Sequence, residues 1–280
     1  MKEAVVIGLG LIGGSLALEL KKRANYKIKG IDADPANVQK ALELGIIDEE
    51  TTYDGLQNAE VVIIAVPVNK IGEVALRVLD CVESETLVMD VGSVKGNICR
   101  EVASHPLRSQ FVAAHPMAGT EFSGPEAAIY DLFDGKVMVL CDVQQSDWRL
   151  LDRALSISKL LNMRVKMMPS EEHDRHIAYV SHLSHVISYV LGQTVLEKER
   201  DEAQIFDMAS SGFASTVRLA KSTGTMWSPI FLENRDNVLQ TLDEYMENLA
   251  KFRTLIAESD DAGLRKTISD INYIKKVLKG

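Results

Sequence analysis

His115 stands in the run Phe111-Val112-Ala113-Ala114-His115-Pro116-Met117-Ala118-Gly119-Thr120-Glu121. An apolar, strand-like stretch delivers an imidazole to a Pro/Gly turn, and a carboxylate follows six residues later. Imidazole changes charge near neutral pH. At the carboxyl end of a strand, where open α/β sheets bind their ligands, it is a candidate proton acceptor. The alternative is a turn histidine bonded to its own loop. A second pattern bears on that choice. Gly8-Leu9-Gly10-Leu11-Ile12-Gly13 follows an apolar run and opens a helical one. Gly8 permits a tight turn, Gly10 lets the backbone approach a pyrophosphate, and Gly13 allows close helix–strand packing. The helix opening at Leu11 and Ile12 supplies unpaired N–H donors to phosphates. Asp32, 19 residues past Gly13, can bind both ribose hydroxyls and repels a 2′-phosphate, so NAD rather than NADP is expected. Its alternative is a turn-forming aspartate ahead of Asp34-Pro35. A histidine beside a nicotinamide would serve a redox reaction.

Other residues fit the same crevice. The tip Ala65-Val66-Pro67-Val68 should point toward the nicotinamide, as should Asp90-Val91-Gly92-Ser93-Val94-Lys95. Ser93 can donate to a substrate oxygen or to His115, or can cap the helix that follows. Lys95 reads as a solvated first-turn residue, with anion steering as the alternative. His182 and His185 lie three apart and share a helix face. They are either site residues or partly buried helix histidines. The pair also raises the question of a metal, whose third ligand would have to come from elsewhere. His173 and His176 are given no role.

These residues need elements to hold them. Strand signals fall at residues 4–8, 26–31, 61–66, 87–91, 111–114, 136–141 and 164–168, with helical ones at 11–22, 37–44, 71–82, 93–105 and 147–161. Such alternation implies βαβ units in a doubly wound sheet. The unbroken apolar run from Val61 suits a parallel strand covered on both faces. Past Pro169 strand signals stop. Helices are expected over 171–198, 203–208, 214–221, 228–259 and 260–278. In 228–259, Ile230, Phe231, Val238, Leu242, Tyr245, Leu249, Phe252 and Ile256 recur on one face. The expected domains are therefore 1–169, binding the dinucleotide, and 170–280, helical. The latter is small enough to bury an apolar stripe against a second copy, so a homodimer is expected.

A formal net charge of −9 over 280 residues speaks against nucleic acid as a partner, though not against small anionic substrates. Cys81, Cys99 and Cys141 are odd in number and widely spaced, and read as free thiols. No signal peptide is read at Met1-Lys2-Glu3, and the longest apolar run, 61–68, is far short of a membrane span. A cytoplasmic location with no membrane partner is expected.

Five motifs occur in order: Gly8-Leu9-Gly10-Leu11-Ile12-Gly13-Gly14-Ser15; Asp90-Val91-Gly92-Ser93-Val94-Lys95; His115-Pro116-Met117-Ala118-Gly119-Thr120-Glu121; Ser181-His182-Leu183-Ser184-His185; and Ser211-Gly212-Phe213 leading to Arg218, with Trp227 beyond. Together they resemble the prephenate/arogenate dehydrogenase family of tyrosine biosynthesis, over nearly the whole chain. The resemblance implies a Rossmann sheet with an all-α dimerisation domain, and the NAD-dependent oxidative decarboxylation of prephenate to 4-hydroxyphenylpyruvate, or of arogenate to tyrosine. It implies that His115 accepts the C4 hydroxyl proton, that Ser93 bonds the same hydroxyl or His115, and that no metal is needed. Gly119 and Thr120 would line the pocket, Arg218 would pair with a substrate carboxylate, and His182 and His185 would lie near substrate or nicotinamide. Glu121 would gate the pocket or link to the other subunit, and Trp227 would cover it from the partner or serve as a core aromatic. Many relatives carry Asp where this chain has Ser215. Two other readings remain: a different two-domain hydroxyacid-type oxidoreductase, against which Ser93 and His115 argue, and a non-catalytic NAD-binding sensor, which would not need His115, Ser93 and Arg218.

Overall fold

The computed structural model describes residues 2–202 and 204–277. Strand β1 (Glu3–Ile7) passes through the glycine turn into α1 (Leu11–Ala24), followed by β2 (Lys27–Ile31), α2 (Pro35–Glu43) and a short β3 (Glu49–Glu50). Then come β4 (Val61–Ile64), α3 (Val68–Cys81), β5 (Leu87–Asp90), α4 (Gly96–Val102), β6 (Phe111–Pro116), β7 (Val137–Cys141), α5 (Trp148–Leu160) and β8 (Arg164–Met168). They form one sheet in the order β3-β2-β1-β4-β5-β6-β7-β8, with only β6–β7 antiparallel. This is the doubly wound α/β fold that the alternation predicts. The chain leaves β1 toward β2 and returns to its other side as β4, so the order reverses there, where such sheets bind ligands. The carboxyl ends of β1, β2, β4, β5 and β6 share one edge, which carries Gly8, Asp32, Val66, Gly92 and His115.

Both faces of the central strands β1, β4, β5 and β6 are buried, because strand side chains alternate while helices cover each side. Val6, Ile63, Met89 and Val112 pack with Leu16 and Leu20 of α1 and Leu150, Ala154 and Ile157 of α5. Val5, Val62, Ile64, Val88 and Ala113 pack with Ile71, Ala75 and Val78 of α3 and Ile98 and Val102 of α4. Each valine, leucine, isoleucine or methionine among them contributes about 1.5–3 kcal/mol on full burial.

Beyond β8 every element is helical. The run expected over 171–198 forms α6 (Ser170–Ile177) and α7 (Leu183–Asp201), joined by one π-helical turn, Ala178–His182. The 203–208 helix reduces to a 3₁₀ turn, Phe206–Met208, with Ala203 outside the described residues. The 214–221 helix resolves into α8 (Ser211–Thr216) and a 3₁₀ turn, Arg218–Lys221. The single helix expected over 228–259 divides into α9 (Gly224–Glu233) and α10 (Arg235–Ala257). The break falls at Asn234, which leaves helical backbone (φ −112°, ψ 28°) and turns a buried side chain inward. Two compact units part between Asn234 and Arg235. The 260–278 run forms α11 (Asp261–Ile271) and α12 (Ile274–Val277), with Leu278 outside the described residues. Among the described residues no helix is long and apolar enough to cross a membrane, and the three cysteines are free.

Candidate active site

At the β1–α1 turn the glycines do separate work. Gly8 has φ +94°, and a Cβ there would lie 2.4 Å from the Ala65 carbonyl oxygen. A Cβ on Gly13 would lie 1.9 Å from the Gly8 oxygen, so helix and turn could not close. A Cβ on Gly10 would meet nothing within 4 Å. Gly10 therefore borders open space at the start of α1, whose first turn has no side-chain cap. Leu11 and Ile12 turn their side chains to the core, leaving the backbone to face a ligand. An open cradle of amides is what a pyrophosphate requires. Asp32 is half-buried. It accepts from Leu9 N at 2.8 Å, Asp34 N at 2.9 Å and Asn37 Nδ2 at 3.2 Å. It is thus both the turn aspartate and a fixed carboxylate beside the glycine turn. Along the same edge Val66 is half-buried against the core and Pro67 is exposed just ahead of α3.

The loop after β5 departs from expectation. Lys95 is not solvated but fully buried, in an ion pair with the equally buried Asp90. Lys95 Nζ also donates to Ala114 O at 2.9 Å, and Asp90 accepts from Ala114 N at 3.3 Å and Gly92 N at 3.0 Å. This pair stitches the tips of β5 and β6 directly before His115. The helix begins at Gly96, not at Val94, and Ser93 does not cap it. Asp174 of α6 caps it instead, accepting from Lys95 N and Gly96 N, each at 2.7 Å. Ser93 is half-buried, and among the described residues no hydrogen bond joins it to His115.

His115 is 9% exposed. Its Nδ1 lies 2.8 Å from His173 Nε2, and His173 Nδ1 lies 2.8 Å from Asp174 Oδ1. Burial, reinforced by His173, Lys95 and His182, holds the pKa of His115 well below the usual 6.5, so it is a neutral base. Its Nε2 makes no hydrogen bond to a described residue and is not sealed from solvent.

The π turn sets the next pair, an insertion that often accompanies a functional site. His182 is buried, with Nδ1 3.2 Å from Asn234 Nδ2, while Nε2 has no partner. Burial lowers its pKa to about 4. His185 stacks on Trp227, ring centroids 3.4 Å apart, and its Nδ1 faces Ser181 O at 3.0 Å. Trp227 is buried within its own chain, beside Phe231, and its Nε1 is also unpartnered. Arg218 and Glu121, 3.9 Å apart, form an ion pair within one chain, so Glu121 faces the guanidinium while Ser215 bonds Gly212 O. Gly119 is exposed with open space above it, and Thr120 Oγ1 accepts from Phe122 N at 3.3 Å.

The chain is similar to known proteins over nearly its whole length. The family model for the nucleotide-binding domain of prephenate dehydrogenase matches residues 16–167, and that for its dimerization domain matches 169–270. The chain belongs to the prephenate dehydrogenase family. The prephenate dehydrogenase of Bacillus subtilis is 35% identical over 94% of this chain and 73% of its own length. The cyclohexadienyl dehydrogenase of Zymomonas mobilis is 29% identical over 99% of this chain and 96% of its own. The crystal structure of prephenate dehydrogenase from A. aeolicus, in complex with hydroxyphenyl propionate and NAD+, superposes with a TM-score of 0.90 at 31% identity, covering 99% of this chain and 98% of that one.

Within this prephenate dehydrogenase family fold, sequence reasoning missed His173, Asp174, Asp90 and Asn234, and took Lys95 for a surface charge. One signal was available for two of them. His173-Asp174 opens the first helix after the last strand, where its side chains can return to the sheet edge.

Proposed function

We propose that this protein catalyses the NAD-dependent oxidative decarboxylation of prephenate to 4-hydroxyphenylpyruvate and CO2, in the cytoplasm, as a step of tyrosine biosynthesis. The observation that carries this reading is a buried, neutral His115 on the sheet edge that also carries the glycine turn. Gly8, Gly10 and Gly13, with the amides at Leu11 and Ile12, would hold the pyrophosphate. Asp32 would hold the ribose hydroxyls, and Val66 and Pro67 would border the nicotinamide. NAD, when bound, supplies the acceptor for the hydride that leaves C4 of the substrate. His115 takes the C4 hydroxyl proton on Nε2 as that carbon becomes a carbonyl. Loss of CO2 from the ring carboxylate then aromatises the ring, and His115 can return the proton to the phenolate oxygen. Ser93 would donate to the same oxygen. Arg218 would bind a substrate carboxylate bidentately, with Glu121 as its resting partner. His182, His185, Trp227, Gly119 and Thr120 would shape the pocket.

Residues 1–169 would act as the cofactor domain and 170–280 as the substrate and dimerisation domain. Exposed Leu249, Ile256, Ile268, Ile271 and Ile274 support a homodimer made through the helical part. The test is a steady-state assay of prephenate and arogenate, each with NAD and NADP, following absorbance of the reduced cofactor. Turnover of prephenate with NAD, and slower turnover with NADP, is expected. No turnover of either substrate would overturn the assignment, and a clear preference for arogenate would replace the substrate.

A further inference from the structure

We propose that His173 and Asp174 are positioning residues that fix His115 in the tautomer bearing its proton on Nδ1, so that Nε2 is the base. The inference rests on the reading that His115 accepts the substrate proton. It assigns a role to two residues that themselves stand one step back from the reacting atoms.

Directionality starts at Asp174. Its carboxylate takes the amide protons of Lys95 and Gly96, two groups that can only donate. It therefore acts as an acceptor, and His173 must present an N–H to it from Nδ1, at 2.8 Å. One of the two facing nitrogens must donate, and the arrangement that leaves both buried rings uncharged puts the lone pair on His173 Nε2. His115, 2.8 Å away, must then donate from Nδ1. Nε2 of His115 is left unprotonated, and it is the nitrogen that no described residue engages. A free neutral imidazole prefers its proton on Nε2, so without His173 the base would sit mostly in the unproductive form. A wrongly set tautomer costs far more than a lost contact, as the catalytic triad shows.

The pair is also placed to hold the ring still. His173 is 2% exposed and Asp174 4% exposed. The two rings meet edge-on, with centroids 5.1 Å apart and planes at 73°. Asp174 ties α6 to the start of α4, and Asn234 Nδ2 donates to the Asp174 carbonyl at 2.7 Å. The other charged or titratable groups facing His115 are His182 from the π turn and Lys95, with Asp90 beside it. None of these offers His115 Nδ1 an acceptor. When Nε2 takes a proton, the new charge lies one imidazole away from the Asp174 carboxylate.

The experiment uses the full chain labelled with ¹⁵N-histidine, together with kinetics of His173→Leu and His173→Gln. In the unsubstituted protein at neutral pH, the His115 nitrogen shifts should report Nδ1 protonated and Nε2 bare. Leucine removes the acceptor. It should move the His115 proton largely to Nε2 and lower kcat about 10²-fold, with KM for prephenate and NAD within about threefold. The glutamine amide oxygen can accept from Nδ1–H, and should recover kcat about tenfold over leucine. A proton on Nε2 of His115 in the unsubstituted protein would overturn the proposal, as would wild-type kcat in His173→Leu or equal kcat in both variants. If the leucine variant does not fold, the unsubstituted spectrum and the glutamine variant still decide. The reading of His115 as base fails separately: His115→Asn would then keep its kcat, whatever the histidine shifts say.

Discussion

The two ends of the candidate site are built by opposite means. The phosphate end is backbone: three glycines within six residues, where Gly8 and Gly13 close the turn and Gly10 leaves room. The reacting end is side chains: Asp90, Lys95, His115, His173, Asp174, His182 and Asn234, every one of them buried or nearly so. Burying polar and charged groups costs free energy unless each finds a partner. At the phosphate end, adding an atom does the damage. At the reacting end, removing one does.

The sharpest way to break this contrast is His115→Asn. It should lower kcat by about 10²–10⁴-fold, the usual share of a positioned base, with NAD affinity near normal by calorimetric titration. Normal kcat would mean that the reacting end is not where His115 places it. Lys95→Met comes next. It strands the Asp90 carboxylate with no cation, and should cost about 3–5 kcal/mol of stability in urea unfolding. A loss under 1 kcal/mol would say that the pair is not truly sealed.

Acid should act at the same end. His182 is held near 4 in the folded chain and titrates near 6.5 unfolded, so the unfolded state binds more protons between these values. Stability is then level above about pH 6.5 and falls as pH drops toward 4, by on the order of 3 kcal/mol from this group. His115, also depressed, acts in the same direction. Urea midpoints at pH 7 and pH 4.5 measure it, and equal midpoints would contradict the burial of these rings. The smallest effect separates the glycines. Gly10→Ala should keep the wild-type Tm and weaken NAD about tenfold by filling the approach to the turn, a loss of about 1.4 kcal/mol. Gly13→Ala should lower Tm as well, because its Cβ meets the Gly8 carbonyl.

The same contrast explains what could be read from the chain. The glycine turn is local, so its spacing alone shows its geometry. The strands that lead to Val66 and His115 are apolar runs, the one that leads to Asp32 alternates lysine with apolar residues, and their parallel order follows from βαβ alternation. The reacting end is non-local: His115 and His173 are 58 residues apart, and Lys95 N and Asp174 are 79 apart. Nothing near Lys95 announces that its charge is met by Asp90 inside the core, and a Ser two residues before looked like a sufficient cap. The π turn at Ala178–His182 is equally silent, because a helix with one extra residue keeps its apolar periodicity nearly intact.

The central claim is an oxidation coupled to decarboxylation, and product stoichiometry tests it most directly. Prephenate labelled in the ring carboxylate, incubated with the protein and NAD, should release one labelled CO2 per NADH formed, with 4-hydroxyphenylpyruvate as the organic product. NADH formed without that CO2, or no NADH at all, would contradict the account.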